Sequence, residues 1–126
     1  MEKPWLQHYE EGVPPTLEYP QTTLHDMQDI SAERYPDRTA AVFLGARLPY
    51  RQLADLTDRL AAALHDLGVS KGDRVSLLLP NCPQFLMAYY ATLKLGAVVV
   101  ATSPLYSPRE AQHQLSDAGA ETIIVL

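Results

Sequence analysis

A run of nineteen uncharged residues at positions 75–93 constrains the fold of this chain more than any other feature. By length alone such a run could cross a bilayer, because a transmembrane helix needs about 20 apolar residues. The segment Pro80-Asn81-Cys82-Pro83, however, divides the run into two short apolar halves, and proline breaks a continuous helix. The run therefore predicts a buried strand followed by a buried helix rather than a membrane span.

The pattern after residue 70 predicts three strands that alternate with two helices. Strands are expected at 74–79, 97–101 and 122–126, and the helices at about 83–95 and from Pro108 to near Gly119. Strand starts about two dozen residues apart are typical of βαβ units, whose crossovers are nearly always right-handed. The chain is therefore expected to have an α/β fold, with a βαβαβ parallel-sheet piece at about 71–126.

Residues 1–22 predict an extended, proline-rich arm. They contain four prolines and three aromatic residues, and proline removes backbone donors and blocks helix interiors. Because an unstructured tail rarely contains tryptophan, we expect Trp5 and its neighbours to pack against the body of the chain or against another subunit. The expected organisation is an arm at 1–22 followed by one folded unit at 23–126.

The segment between the arm and the sheet predicts a helix, a short hairpin and a long helix. The first helix is expected at about 23–35, capped by Thr23 and Asp26. A strand at 39–44, a turn at Gly45-Ala46 and a returning strand follow. Leu24, Met27 and Ile30 form an apolar stripe along the first helix. The second helix, at about 50–67, has a longer stripe that is expected to lie in the core: Leu53, Leu56, Leu60, Leu64 and Leu67.

The chain ends within the apolar strand at 123–126. A three-stranded parallel sheet leaves an unpaired edge and a partly uncovered face, which native domains usually avoid. We interpret the chain as the N-terminal piece of something larger, with a complete small α/β binding or signalling module as the alternative. A receiver-like module would need acidic residues clustered at the strand ends, where this chain has Leu79-Pro80-Asn81 and Ala101-Thr102-Ser103.

Charge and cysteine content exclude several classes of protein. The net charge of −5 argues against a nucleic-acid binder, and the acidity belongs to residues 1–37, which carry eight acidic and two basic side chains. The single cysteine, Cys82, excludes an intrachain disulfide and a multi-cysteine zinc site. It also fits a reducing compartment, and residues 1–11 lack a signal-peptide layout. The expected location is therefore the cytoplasm.

No catalytic, cofactor-binding or metal-binding residue emerges from the sequence. The glycines form neither G-x-G-x-x-G nor G-K-[ST], and proline interrupts both strand-to-helix loops. The four histidines, His8, His25, His65 and His113, have no partners at zinc-like spacing. His25/Asp29 and His113/Asp117 are i,i+4 pairs that could chelate a metal, although solvated helix neighbours are far commoner than metal sites. Cys82 precedes a helix but has no identified base, and turn or capping roles suffice for Ser103 and Ser107. The loop at 102–107 is the one candidate ligand edge, since it follows a strand of an open α/β sheet.

Several segments resemble the long-chain fatty acid–CoA ligases, a branch of the AMP-forming acyl-adenylate synthetases. The likeness is carried by residues 94–100 (KLGAVVV), 104–110 (PLYSPRE), 113–120 (HQLSDAGA), 48–53 (LPYRQL), 71–75 (KGDRV), 79–81 (LPN), and by Trp5-Leu6, Tyr9 and 12–14 (GVP). It covers nearly the whole chain, and the P-L-Y-x-P-R-E core is fairly specific for that branch. Ser103 departs from the pattern, because relatives often place asparagine there.

The resemblance implies an enzyme that joins a fatty acid to CoA through an acyl-adenylate, with ATP, CoA and Mg²⁺ as cofactors and AMP and pyrophosphate as products. In that family the catalytic motifs lie beyond Leu126, so residues 23–126 would be the first part of a large N-terminal domain, inactive by itself. An aryl- or medium-chain acyl-CoA ligase is the nearest alternative. By resemblance the N-terminal segment takes part in subunit contacts, which would make a homo-oligomer, and fatty-acid substrates would bring peripheral contact with a membrane.

Overall fold

The structure is a computed structural model that describes residues 3–126, so the first two positions of the arm expected at 1–22 lie outside the described residues. A short 3-10 helix at Pro4–His8 precedes nine regular elements. These are α1 (Leu24–Arg34), β1 (Thr39–Phe43), β2 (Ala46–Pro49), α2 (Tyr50–Asp66), β3 (Arg74–Leu78), α3 (Pro83–Lys94), β4 (Val98–Ala101), α4 (Pro108–Ala118) and β5 (Thr122–Val125).

The βαβαβ prediction is confirmed, and the three strands form a parallel sheet in the order β4-β3-β5. Val75 lies beside Val99 in β4 and beside Thr122 in β5, and Leu77 lies beside Ala101 and Ile124. The central strand is buried on both faces, with Val75, Ser76 and Leu77 fully enclosed. The chain crosses to one side of β3 and then returns to the other, and right-handed connections then place α3 and α4 on opposite faces of the sheet.

Helices α2 and α3 supply the core on one face of the sheet. They pack more extensively against each other than any other pair of elements, because small side chains such as Ala61, Ala88 and Ala91 lie in the core. Leu64 completes this layer against Val75 and Leu77 of β3. Each large aliphatic side chain buried here contributes about 1.5–3 kcal/mol. The leucine stripe of α2 is confirmed at Leu53 and Leu64, but Leu67 is 81% exposed, because it is the C-cap residue and Gly68 turns the chain there.

Helix α1 attaches to the body through polar contacts, and its apolar stripe does not lie in the core. The capping pair is confirmed, since Thr23 N donates to Asp26 Oδ2 over 2.8 Å. Leu24, Met27 and Ile30 are nevertheless exposed, whereas Gln28 is buried. Gln28 Nε2 donates to Thr57 Oγ1 of α2 over 3.1 Å, and this bond helps fix which side of the helix faces inward.

The hairpin of β1 and β2 turns one residue earlier than expected. Its register pairs Phe43 with Ala46, so the two turn residues are Leu44 and Gly45 rather than Gly45 and Ala46. Both have positive φ, +48° and +83°, as a type I′ turn requires. Glycine adopts this backbone freely, whereas leucine does so at a cost.

The arm is less extended and less packed than the sequence predicts. Its first turn is the 3-10 helix, which Pro4 can begin because the first helical position needs no amide donor. Trp5 and Tyr9 are about half exposed, and Tyr19 is 74% exposed. The expected packing of these aromatic residues against the body is therefore wrong in this structure, and packing against another subunit stays a prediction. No helix among residues 3–126 has the length and apolar content to span a membrane.

Candidate functional site

The carboxyl ends of the parallel strands form the edge where open α/β sheets bind ligands. Two loops leave this edge: residues 79–82 lead from β3 into α3, and residues 102–107 lead from β4 into α4. The second is the loop predicted as a ligand edge. The sequence placed both loops correctly, because each follows an apolar strand and contains proline.

A cavity of about 240 Å³ lies at the end of β3. Its wall combines the loop and the start of α3 with the distant strand β1. The lining residues are Ala41, Val42, Phe43, Asn81, Cys82, Pro83, Phe85 and Leu86. No charged residue is among them, so this pocket can hold an apolar group but offers nothing that would neutralise a phosphate.

Cys82 lies in the wall of this cavity as the N-cap residue of α3. It is a free thiol and is buried, and its side chain makes no capping hydrogen bond. Neither a histidine nor a lysine lines the cavity beside it, so no base is placed to activate the thiol. The geometry supports the structural role that the sequence favours for this residue.

The loop at 102–107 uses its polar groups internally. Thr102 is buried, and its hydroxyl lies 2.8 Å from Ser76 Oγ of the central strand. Ser103 Oγ accepts from the Leu105 amide over 3.2 Å, and the Tyr106 amide donates to Ser103 O over 3.2 Å. These amides are therefore engaged, and the loop has no run of free N–H groups for a phosphate.

Ser107 closes the loop as the N-cap of α4, as predicted. Its amide and its hydroxyl both donate to Glu110 Oε2 over 2.8 Å, which completes a capping box. The side-chain hydrogen bond from Ser107, followed by the backbone one, holds the pKa of Glu110 below its ordinary value of 4.5. Ser107 thus stabilises the helix and is not placed as a nucleophile.

The histidine pairs do not form metal sites among the described residues. Asp29 pairs with Lys94 rather than with His25. The Nε2 atom of His25 instead lies 3.6 Å from Asp26 Oδ1. His113 and Asp117 line a surface cavity of about 310 Å³ together with Tyr106, Glu110 and Gln114. Across residues 3–126 no group of three or more histidine, cysteine, aspartate or glutamate side chains is arranged to hold a metal ion.

Sequence reasoning missed the contribution of β1 to the cavity at the end of β3. In the sequence, residues 41–43 indicate only one strand of a hairpin, and about forty residues separate them from Cys82. No local pattern could indicate this contact, because it depends on how the hairpin lies relative to α3.

Comparison with known proteins identifies the family. The sequence profile of the AMP-binding enzymes, described as "AMP-binding enzyme", matches residues 29–126. A long-chain-fatty-acid–CoA ligase of Bacillus subtilis is 43% identical over 99% of this chain, which spans 22% of that relative. A salicyl-AMP ligase/salicyl-S-ArCP synthetase of Mycobacterium tuberculosis is 40% identical over 82% of this chain and 19% of its own length.

Solved structures agree with this assignment and with the α/β fold. The N-terminal subdomain of Klebsiella oxytoca NpsA, in complex with 3-hydroxyanthranilyl-AMSN, superposes with a TM-score of 0.77 at 33% identity. The match covers 79% of this chain and 26% of that one. The chain spans about a fifth of the length of its curated relatives. With a matching profile over residues 29–126 and a matching fold, the chain belongs to the AMP-binding enzyme family.

Proposed function

We propose that the whole protein is an ATP-dependent fatty acid–CoA ligase, an enzyme of lipid metabolism. A fatty acid and ATP would form an acyl-adenylate and release pyrophosphate, and the CoA thiol would then displace AMP to give the acyl-CoA. The observation that carries this proposal is the 43% identity to a long-chain-fatty-acid–CoA ligase over 99% of the chain. A match of that extent includes the arm as well as the folded unit.

The part of the protein described here serves in this proposal as a scaffold. Residues 1–22 are an arm, and residues 23–126 are the first part of a large N-terminal domain. The described residues do not fit ATP or Mg²⁺, since proline interrupts both loops at the sheet edge, the amides of Leu105 and Tyr106 are engaged and no metal-binding group is formed. No step of the reaction is therefore assigned to a residue of this chain.

An aryl-acid ligase is the second candidate, and two relatives favour it. The salicyl-AMP ligase is 40% identical, and the NpsA subdomain was solved in complex with 3-hydroxyanthranilyl-AMSN. The salicyl-AMP ligase, however, aligns with only 82% of this chain, against 99% for the Bacillus ligase. We therefore rank the fatty-acid substrate first and keep the aryl acid, with a medium-chain acid, as the alternative.

The test compares acyl acids on the complete protein that carries this sequence. ATP–pyrophosphate exchange is measured with palmitate, octanoate and salicylate, and thioester formation with CoA is measured for each. We expect palmitate to give the fastest exchange and to yield palmitoyl-CoA. Faster exchange with salicylate or octanoate would replace the proposal by the corresponding alternative.

The scaffold role has a separate test on the isolated 126-residue chain. We expect no exchange above a control without protein, because the chain lacks a phosphate-binding loop. Palmitate-driven exchange by the isolated chain would show that the scaffold role is wrong while leaving the proposed substrate intact.

The cellular setting follows from the same proposal. A single buried thiol fits the reducing cytoplasm, and a fatty-acid substrate would bring the enzyme to the membrane surface only peripherally. Cell fractionation with and without a salt wash checks this, and we expect the protein in the cytoplasmic fraction or released into it by salt.

A further inference from the structure

The turn of the β1–β2 hairpin carries an unbroken run of exposed residues. All six residues at 42–47 are exposed, and Arg47 alone among them has a polar side chain. Leu44, in the turn, is 92% exposed, whereas Ala41 and Leu48 nearer the base of the hairpin are partly buried. Protein surfaces usually avoid such an apolar run unless it binds something. We call residues 42–47 the hairpin tip.

Leu44 holds a backbone conformation that is costly for leucine. Among residues 3–126 it is the only residue other than glycine with a positive φ, +48°. Asparagine, aspartate and glycine are the usual residues at this position of a type I′ turn. The tip therefore combines a strained backbone with an apolar side chain in water, and asparagine would remove both costs. A strained residue of this kind points to a function for its side chain.

The hairpin is positively charged in a chain that is acidic overall. Residues 37–51 carry three arginines and one aspartate, whereas the net charge of the chain is −5. Arg51 Nη1 lies 2.8 Å from Asp37 Oδ1 at the base of the hairpin. Arg47 is exposed at the tip and pairs directly across the hairpin with Val42, so the two side chains share a face. A partner of the tip must therefore combine an apolar layer with negative charge.

An anionic lipid bilayer fits this description better than a folded protein surface. Val42 and Phe43 point to opposite faces of the hairpin, and both are exposed, so the tip projects from the body. A projecting tip needs a matching groove on a protein but none in fluid lipid. The cavity at the end of β3 continues the apolar surface, since the same two residues line it and no charged residue does. Arginine suits such a boundary, because its stem lies along apolar surface while its guanidinium reaches the headgroups.

We propose that the hairpin tip docks on an anionic phospholipid membrane, with Leu44 entering the boundary of the acyl chains and Arg47 binding a lipid phosphate. The proposal names the surface that makes the peripheral membrane contact, and it rests on that part of the proposed function. Ligase chemistry is not needed for its test, because docking is measured without fatty acid, ATP or CoA. Loss of docking in a protein with intact ligase activity would therefore overturn this proposal alone.

Flotation of the complete protein with lipid vesicles tests the docking. One set of vesicles is phosphatidylcholine alone, and the other adds phosphatidylglycerol as the anionic lipid. One arginine close to an anionic surface corresponds to about a fivefold change in partition. We therefore expect binding to the anionic vesicles to be about fivefold stronger than binding to the neutral ones. Equal binding to both sets, or no binding to either, would overturn the proposal.

Leu44→Asn isolates the apolar contribution without harming the fold, because asparagine adopts a positive φ more readily than leucine. Binding to the anionic vesicles should fall about tenfold, the lower end of the contribution of one buried leucine side chain. Leu67→Asn is the matched control and should bind like the wild type. Leu67 is 81% exposed but follows the far end of α2, about 25 Å along the helix from the hairpin. Wild-type binding by Leu44→Asn, or an equal loss in Leu67→Asn, would overturn the proposal.

Amide hydrogen exchange distinguishes a membrane from a protein segment that covers the tip. In the complete protein without vesicles we expect rapid exchange in the peptide that contains residues 42–47, and anionic vesicles should slow it. Slow exchange that the vesicles leave unchanged would show that protein covers the tip, and the proposal would be wrong.

Discussion

Lys94 joins three helices through one ammonium group. Its Nζ donates to Asp29 Oδ1 of α1 over 2.8 Å and to Asp58 Oδ1 of α2 over 2.5 Å, and the side chain is 17% exposed. Burial by itself lowers the pKa of Lys94, but the hydrogen bonds to the two carboxylates outweigh it and raise the pKa above 10.5. The charged form is therefore the one that the fold stabilises.

We predict that Lys94→Met lowers the free energy of unfolding by about 1.5–3 kcal/mol, the range for hydrogen bonds to charged groups. Urea denaturation followed by circular dichroism measures this loss. Arg59→Met is the matched control, because Arg59 pairs with Asp55 on the exposed surface of the same α2, and such pairs contribute about 0–1 kcal/mol. Equal losses of unfolding free energy in the two variants would contradict the stabilising role of Lys94.

The raised pKa also fixes the pH range in which this contribution acts. The stabilisation is complete below 10.5, the ordinary pKa of lysine, and is lost as the pH rises through the higher pKa of the folded state. Lys94→Met should therefore remove part of the fall in stability that the wild type shows at alkaline pH. Identical alkaline profiles would show that Lys94 is not the group responsible.

The capping box of α4 gives a second prediction at single residues. In Ser107→Ala the carboxylate of Glu110 loses its side-chain hydrogen bond, so its pKa should rise towards 4.5. In the wild type this contribution to stability is present above 4.5 and is lost as the pH falls through the lower folded pKa. A carbon-detected NMR titration measures the shift. Thr23→Ala should move the pKa of Asp26 instead, and an unmoved Glu110 in Ser107→Ala would count against the assignment.

At the scale of the element, α2 contains leucines that look alike in the sequence but differ in burial. Leu64 is buried in the core and Leu67 is 81% exposed. Leu64→Ala should destabilise the chain by about 2–5 kcal/mol, because it leaves a cavity, whereas Leu67→Ala should stay within about 0.5 kcal/mol. Thermal and urea unfolding of both variants decide the point. Comparable losses would mean that the end of α2 packs more tightly than the structure shows.

The regular elements could be predicted because their signals are local. Apolar runs and capping residues fixed β3, α3 and α4 to within a residue or two, and Gly68 marked the end of α2. The rotation of α1 could not be predicted, because it depends on partners in other helices: Thr57 for Gln28 and Lys94 for Asp29. An apolar stripe then points to solvent although its spacing is that of a core face.

For the candidate site, the sequence predicts the positions of the loops but not the cavities. The sequence indicates the loop at 102–107 and the thiol of Cys82, since each follows an apolar strand. The cavity at the end of β3 is formed by elements distant in sequence, since residues 41–43 meet Cys82 there. Such contacts depend on tertiary packing and leave no periodic pattern.

At the scale of the whole molecule, the arm is expected to act between subunits. Its aromatic residues are exposed in the single chain, and burying one large aromatic side chain contributes about 1.5–3 kcal/mol. We predict that deleting residues 1–20 from the complete protein lowers both the mass measured by ultracentrifugation and the melting temperature. Unchanged mass and stability would mean that the arm is a passive tail.

The edge strand β5 leads to a prediction for the isolated chain. β5 lies at an edge of the sheet, and Ile123, Val125 and Leu126 are exposed there. Exposed apolar edges pair with other chains, so we expect the isolated chain to self-associate at high concentration in light scattering. Val125→Lys should reduce the association, whereas Leu105→Lys, in an exposed loop outside the sheet, should not. A stable monomer that binds no hydrophobic dye would contradict the prediction.

The strand order β4-β3-β5 bears on how the sheet assembles during synthesis. The central strand, β3, is the first of the three to leave the ribosome, after α2 has already emerged. The sheet therefore grows outward from β3, first by addition of β4 on one side and then by addition of β5 on the other. Only about 20 residues separate β3 from β4, and contacts between residues close in sequence speed folding. Once residues up to about 101 have emerged from the ribosome, α2, β3, α3 and β4 are all outside it. This layer can therefore close before β5 emerges, and we expect this order to limit non-native pairing of Val75 and Leu77.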